Sequence, residues 1–140
     1  MKLKLILISF LVVLLGLSFW FTFNYIRNKG TLKIEIYNKT SEAIGDLKFT
    51  YQKNDKDIVI SGIPAESYLK LIFKPQETLP LAGSGENAMW LSYQDKNGEK
   101  HKEVIFGYFE RGYHGKALIK ITKVEPDGVI KFEIKSDVKN

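Results

Sequence analysis

MWLSYQDKNGEKHKEVIFGYF, residues 89–109, is the stretch on which the fold turns. Both of its ends alternate apolar and polar residues with a period of two, the pattern of a strand buried on one face. Between them, Asn97-Gly98 is the dipeptide favoured by a two-residue type I′ hairpin turn. Such a turn makes each pair of facing residues symmetric about the Asn97–Gly98 bond. Leu91 then faces Val104 and Met89 faces Phe106 on one side, while Trp90 faces Ile105 and Ser92 faces Glu103 on the other. A slip of one residue would exchange the two faces, so this register is the expected one.

The same reasoning extends outward. Glu125-Pro126-Asp127-Gly128 reads as a connection that sets Ile121 opposite Phe132, Ile119 opposite Ile134 and Lys120 opposite Glu133, with apolar pairs inside and charged pairs outside. Further alternating runs fall at Leu32–Tyr37, Leu47–Tyr51, Ile58–Ile60 and Tyr68–Phe73. No stretch after residue 31 shows a period of 3.6. The expectation is an all-β domain over 31–140, an antiparallel sandwich of seven to eight strands, with a small Greek-key barrel as the alternative. Lys33/Glu35, Lys120/Thr122 and Lys131/Glu133/Lys135 read as solvated strand faces.

Three segments carry a resemblance. Asn38-Lys39-Thr40 would turn after the first strand, Asp46-Leu47-Lys48-Phe49 would open the second, and Ile63-Pro64-Ala65 would close an early hairpin. With these, most of residues 31–135 resembles the immunoglobulin-like sandwiches of small membrane-anchored bacterial surface proteins. The Cys and core-Trp spacing of antibody domains is missing, so the resemblance implies an architecture and no particular activity.

The charges separate the chain into two parts. Lys2, Lys4, Arg27 and Lys29 lie in the first thirty residues, which contain no acid, while the other 17 of the 21 basic residues are balanced by all 16 acidic ones. The net +5 is therefore not a nucleic-acid footprint, and no nucleic-acid partner is expected. From Leu5 to Phe23 no residue is charged. As a helix that run rises roughly 28 Å, close to the hydrocarbon thickness of a bilayer. Trp20 and Tyr25 stand near one end, where amphipathic rings favour the headgroup layer. The expectation is a membrane anchor over residues 1–30, a single transmembrane α-helix at about 5–26, acting as an uncleaved signal anchor with the domain outside the cytoplasm. The alternative is a secreted domain released by cleavage near Ser18, after the small residues Gly16 and Ser18. With no cysteine, a lipid anchor on that residue is excluded and an exported domain must hold without disulfides.

Few residues carry reactive chemistry. There are no cysteines and two histidines, so neither a thiol nucleophile nor a Cys-rich zinc site exists. His101 and Glu103 would share a strand face and form at most half a metal site. No metal, no cofactor and no catalytic residue is assigned. The most distinctive segment is Gly107-Tyr-Phe-Glu-Arg-Gly-Tyr-His-Gly115, which joins two strands. Its glycines permit close backbone approach, and its rings and Arg111 are contact chemistry common at binding surfaces. Tyr108, Phe109, Arg111, Tyr113 and His114 are therefore candidate partner-binding residues, unless the rings cap one end of the sandwich. Trp90 with Ile105, continued by Phe109, makes an outward apolar patch that the fold covers or a partner does. Pro75 to Asn87 is the longest connection and is expected to be mobile, with Gly83-Ser84-Gly85 as a hinge. Asn38-Lys39-Thr40 also matches a glycosylation acceptor.

These features imply a non-catalytic, membrane-anchored accessory or interaction module of the cell envelope, partnered by the bilayer and by another envelope protein. The alternatives are a module binding cell-wall carbohydrate through Trp90, Tyr108 or Tyr113, and a membrane-anchored immunity or inhibitor protein.

Overall fold

Each expected alternating run forms a strand. In the computed structural model, which describes residues 2–28, 30–51, 57–74, 87–110 and 112–139, a helix α1 (Lys2–Asn28) precedes eight strands. These are β1 (Leu32–Asn38), β2 (Leu47–Tyr51), β3 (Ile58–Ile60), β4 (Tyr68–Phe73), β5 (Asn87–Gln94), β6 (Lys100–Phe109), β7 (His114–Val124) and β8 (Ile130–Lys139). The period-2 logic is visible in β1, where Leu32, Ile34, Ile36 and Asn38 are buried and the residues between them are not.

Two four-stranded sheets result, ordered β4-β1-β7-β8 and β3-β2-β5-β6. Their inner faces meet in one core, in which Leu32, Ile34, Ile36, Ala117, Ile119 and Ile121 of the first sheet oppose Leu47, Phe49, Met89 and Leu91 of the second. Phe49 meets Phe73 and Tyr93 meets Phe132 across the gap, with ring centroids 6.1 and 5.7 Å apart. Each fully buried large apolar side chain contributes about 1.5–3 kcal/mol. Two separate ladders, and not one closed ring of strands, exclude the small barrel.

The expectation of a wholly antiparallel sandwich needs one correction. β1 runs parallel to β7, with Leu32 beside Gly115 and Ile36 beside Ile119. The chain leaves β1 for the other sheet and β4 before β7 reaches its second side. No local pattern records such a pairing.

The β5–β6 register also differs from the expected one. Trp90 pairs with Val104, Leu91 with Glu103 and Tyr93 with His101, one residue away from the type I′ alignment. The cause is Asp95. Its Oδ1 accepts the backbone N–H groups of Asn97 (2.8 Å) and Glu99 (2.9 Å), and the backbone bonds Asp95 N–H to Glu99 O and Gly98 N–H to Asp95 O close a longer loop. Gly98 takes the left-handed conformation at φ +85°. A bulge further along restores Met89 to Phe106. It turns the consecutive residues Ile105 and Phe106 both inward, at 1% and 0% exposure.

The β7–β8 hairpin has the expected pairs Ile121–Phe132, Ile119–Ile134 and Lys120–Glu133. A bulge between Ile121 and Lys123 then gives its tip the same form as the first, with Glu125 N–H to Val129 O, Gly128 N–H to Glu125 O and Gly128 at φ +91°. The two tips dock: Lys96 donates its backbone N–H to Asp127 O and its ammonium to Pro126 O, both at 3.0 Å.

Ile63-Pro64-Ala65 closes no hairpin. Ile63 bridges Ile44, and the chain then crosses from β3 in one sheet to β4 in the other. Asn38 is no glycosylation acceptor either, since its side chain is buried. Its Nδ2 donates to the carbonyls of Glu42 (2.8 Å), Pro64 (2.8 Å) and Ile63 (3.3 Å), while Oδ1 accepts from the Thr40 N–H and hydroxyl. A buried amide so fully paired holds two connections, β1–β2 and β3–β4, at one end of the sandwich.

The transmembrane helix expected over 5–26 is not supported: among the described residues, no helix is long and apolar enough to cross a membrane. Side chains of α1 are described from Ser9 to Tyr25, about 26 Å of helix. Within that part, Phe10 to Leu15, Leu17, Phe19 to Phe21, Phe23 and Tyr25 are all exposed, on every side of the helix. The polar side chains turn back on the helix itself, with Thr22 Oγ1 donating to Ser18 O and Asn24 Nδ2 donating to Trp20 O.

Candidate interaction surfaces

The aromatic connection between β6 and β7 divides into core and surface. Phe109 is fully buried, with its ring edge-on to Tyr51 (6.1 Å) and to Phe106 (6.4 Å). Ile105 is buried as well, so these two candidates serve the core, because the bulge opposite Met89 and Trp90 redirects Ile105 and a second register shift, between Asn87 and Met89, brings Phe109 inward. Tyr108 is 42% exposed and stands edge-on to Tyr113 at 5.9 Å. Its hydroxyl donates to Glu110 Oε1, and the Tyr113 N–H closes the turn onto Glu110 O. His114 is half-buried. Arg111 lies outside the described residues, as does the 75–86 part of the long connection.

Two backbone bonds fix this loop beside the end of α1. Gly30 N–H donates to Gly112 O and Gly115 N–H donates to Thr31 O, each at 3.1 Å. The loop that sequence reasoning singled out therefore lies at the junction of helix and sheets, while the docked hairpin tips lie at the opposite end.

At that opposite end, Asp95, Glu99 and His101 have potential ligand atoms within 4.8 Å of one another, the one such group among the described residues. Both acids come from the turn, and Glu103 is not among them. Asp95 has a side chain only 3% exposed, and its Oδ2 lies 3.0 Å from His101 Nε2. The His101 hydrogen bond, with those from Glu99 and Asn97, holds the Asp95 carboxyl below its ordinary value against the opposing effect of burial. Tyr93 extends the network. Its ring stacks on His101 at 4.9 Å, and its hydroxyl accepts the Ile130 N–H at 2.9 Å. Burial raises the Tyr93 phenol above its ordinary value. Every oxygen of Asp95 is thus engaged within its own hairpin, while Lys96 and Tyr93 supply the bonds that tie that hairpin to the other.

Trp90 is half-buried on the outer face of its sheet, between Thr50 and Val104. The Lys102 ammonium lies 4.0 Å from its ring centroid, so a cation already covers one face. Sequence reasoning passed over two pairings on the outer face of the first sheet. Tyr37 and Tyr68 have ring centroids 4.7 Å apart, and the Lys116 ammonium lies 2.8 Å from Glu35 Oε2. Both join strands more than thirty residues apart in the chain, so no local signal could have found them.

No family model matches this chain, and no curated protein is similar to it. Among solved structures it is similar to a protein from Eubacterium rectale determined by NMR, at 14% identity and a TM-score of 0.42, over 75% of this chain and 88% of that one.

Proposed function

We propose that the protein is a bilayer-tethered, non-catalytic interaction module whose immunoglobulin-like β domain stands on the outer side of a cell membrane and binds or positions another envelope protein. The observation that carries this reading is the uncharged run Leu5–Phe23 within a helix whose described apolar side chains are uncovered on all sides. Such a surface is costly in water, at roughly 25 cal/mol for each Å² left exposed. A helix apolar all round is matched by lipid and not by a core on one side. Thr22 and Asn24, polar residues near its end, each donate a hydrogen bond back to a helix carbonyl, as an apolar medium favours.

The aromatic pair Tyr108–Tyr113, fixed beside the end of that helix, then faces the bilayer surface. A protein bound there is itself a membrane neighbour. Alkaline carbonate extraction of membranes carrying the full chain tests the tether. The uncleaved chain is expected to stay in the pellet, and a variant with Leu11→Lys and Leu14→Lys to move to the supernatant; release of the native chain would sink the reading. With a photoreactive residue at position 108, a crosslinked membrane protein is expected in intact cells and none with the residue at position 131.

A further inference from the structure

Where α1 meets the first sheet, an open cavity of about 480 Å³ lies between Asn24 and Tyr25 of the helix and the ends of β1, β7 and β8. Lys33, Lys116, Lys139 and His114 line it, against Asp137 as the one acid. We propose that this cavity takes the phosphate of an anionic lipid headgroup, so that the domain lies against the bilayer surface instead of swinging on its tether. The proposal rests on the tethered reading above and names the partner of the domain's bilayer-facing end.

Three observations converge on it. The first is position: the helix residues lining the cavity are Phe21, at the end of the uncharged run, and Asn24 and Tyr25, which follow directly on it, and Tyr25 is a ring of the kind that settles at headgroup depth. The second is charge. Lys116 pairs with Glu35 at 2.8 Å and Lys139 with Asp137 at 3.1 Å, yet each ammonium has three N–H donors and both lysines are more than half exposed. The Lys139–Asp137 pair is exposed on both sides and such pairs are worth little, so a phosphate oxygen competes for the remaining donors.

The third is the sign of the lining itself, three lysines and His114 against Asp137. A lining of that sign is drawn toward a negative surface. Each lysine near such a surface strengthens association roughly fivefold. The effect fades over about 8–10 Å, which limits it to the end nearest the helix.

The test uses the full chain in nanodiscs of phosphatidylcholine, alone or with about 30% phosphatidylglycerol, read by backbone hydrogen exchange over residues 113–118 and 136–139. Exchange there is expected to slow with phosphatidylglycerol and not with phosphatidylcholine alone. Replacement Lys33→Gln, Lys116→Gln and Lys139→Gln should remove the slowing, each step weakening it roughly fivefold. Lys139→Gln alone, at an exposed strand end, repeats the test in a variant whose fold is not at risk. Equal exchange in both lipids overturns the headgroup site while leaving the tether intact. Slowing by millimolar inorganic phosphate in phosphatidylcholine discs overturns it in favour of a free-anion pocket. A chain that carbonate strips from membranes overturns both readings.

Discussion

Asp95 shows how one side chain sets geometry beyond its own position. By capturing the N–H groups of Asn97 and Glu99 it lengthens the turn, and by meeting His101 it ties the strand after the turn to the strand before it. Its carboxyl is held below the ordinary value of 3.8, first by the His101 hydrogen bond. A carboxyl depressed in the folded state contributes stability that is fully present above that ordinary value and is lost as the pH falls through the folded one. Asp95→Ala should therefore lower the denaturation midpoint at about pH 6, and the gap to the native protein should close below the ordinary carboxyl value. A gap unchanged down to about pH 2 would assign the role of Asp95 to packing alone. Ile105 and Trp90 illustrate the limit of reading residues in sequence. Alternation placed both outward, but the turn lengthened by Asp95 and the bulge that follows send Ile105 into the core and leave Trp90 beneath Lys102. Phe109, offered by its loop as a contact, is likewise core.

At the scale of elements, the two hairpin tips share one turn form but differ in what surrounds them. A Cβ at Gly98 would meet only Gln94 Nε2, at 3.6 Å, so Gly98→Ala should cost the left-handed penalty of about 1–2 kcal/mol. A Cβ at Gly128 would come within 2.9 Å of the Lys96 backbone nitrogen. Gly128→Ala must part the docked tips as well, and should cost about 1–3 kcal/mol more. Equal losses in denaturant titrations of the two variants would show that tip docking contributes nothing. All eight strands were legible from alternation and turn residues, and the β7–β8 pairing with them, because each depends on neighbours a few residues away. The parallel β1–β7 ladder was not legible, because the pairing is decided by which edge remains open after β4 has taken the other side of β1.

For the whole molecule, burial is uneven across the sheets. β1 and β7 are central in the first sheet, with Leu32, Ile34, Ile36, Ala117, Ile119 and Ile121 at 0% exposure, whereas the edge strands β3 and β4 expose Val59, Tyr68 and Ile72. Native-state hydrogen exchange should accordingly be slowest in β1 and β7 and faster in β3 and β4. The reverse order would mean that the core is not shared as described. The sequence by itself determined the β class, the strand positions, the balance of charge after residue 31 and the apolar run before it, since these follow from local periodicity and composition. Only the tertiary structure decided which strands are neighbours, which rings are core, and that the aromatic loop and three lysines meet at the end of α1, because those depend on contacts between residues far apart in the chain.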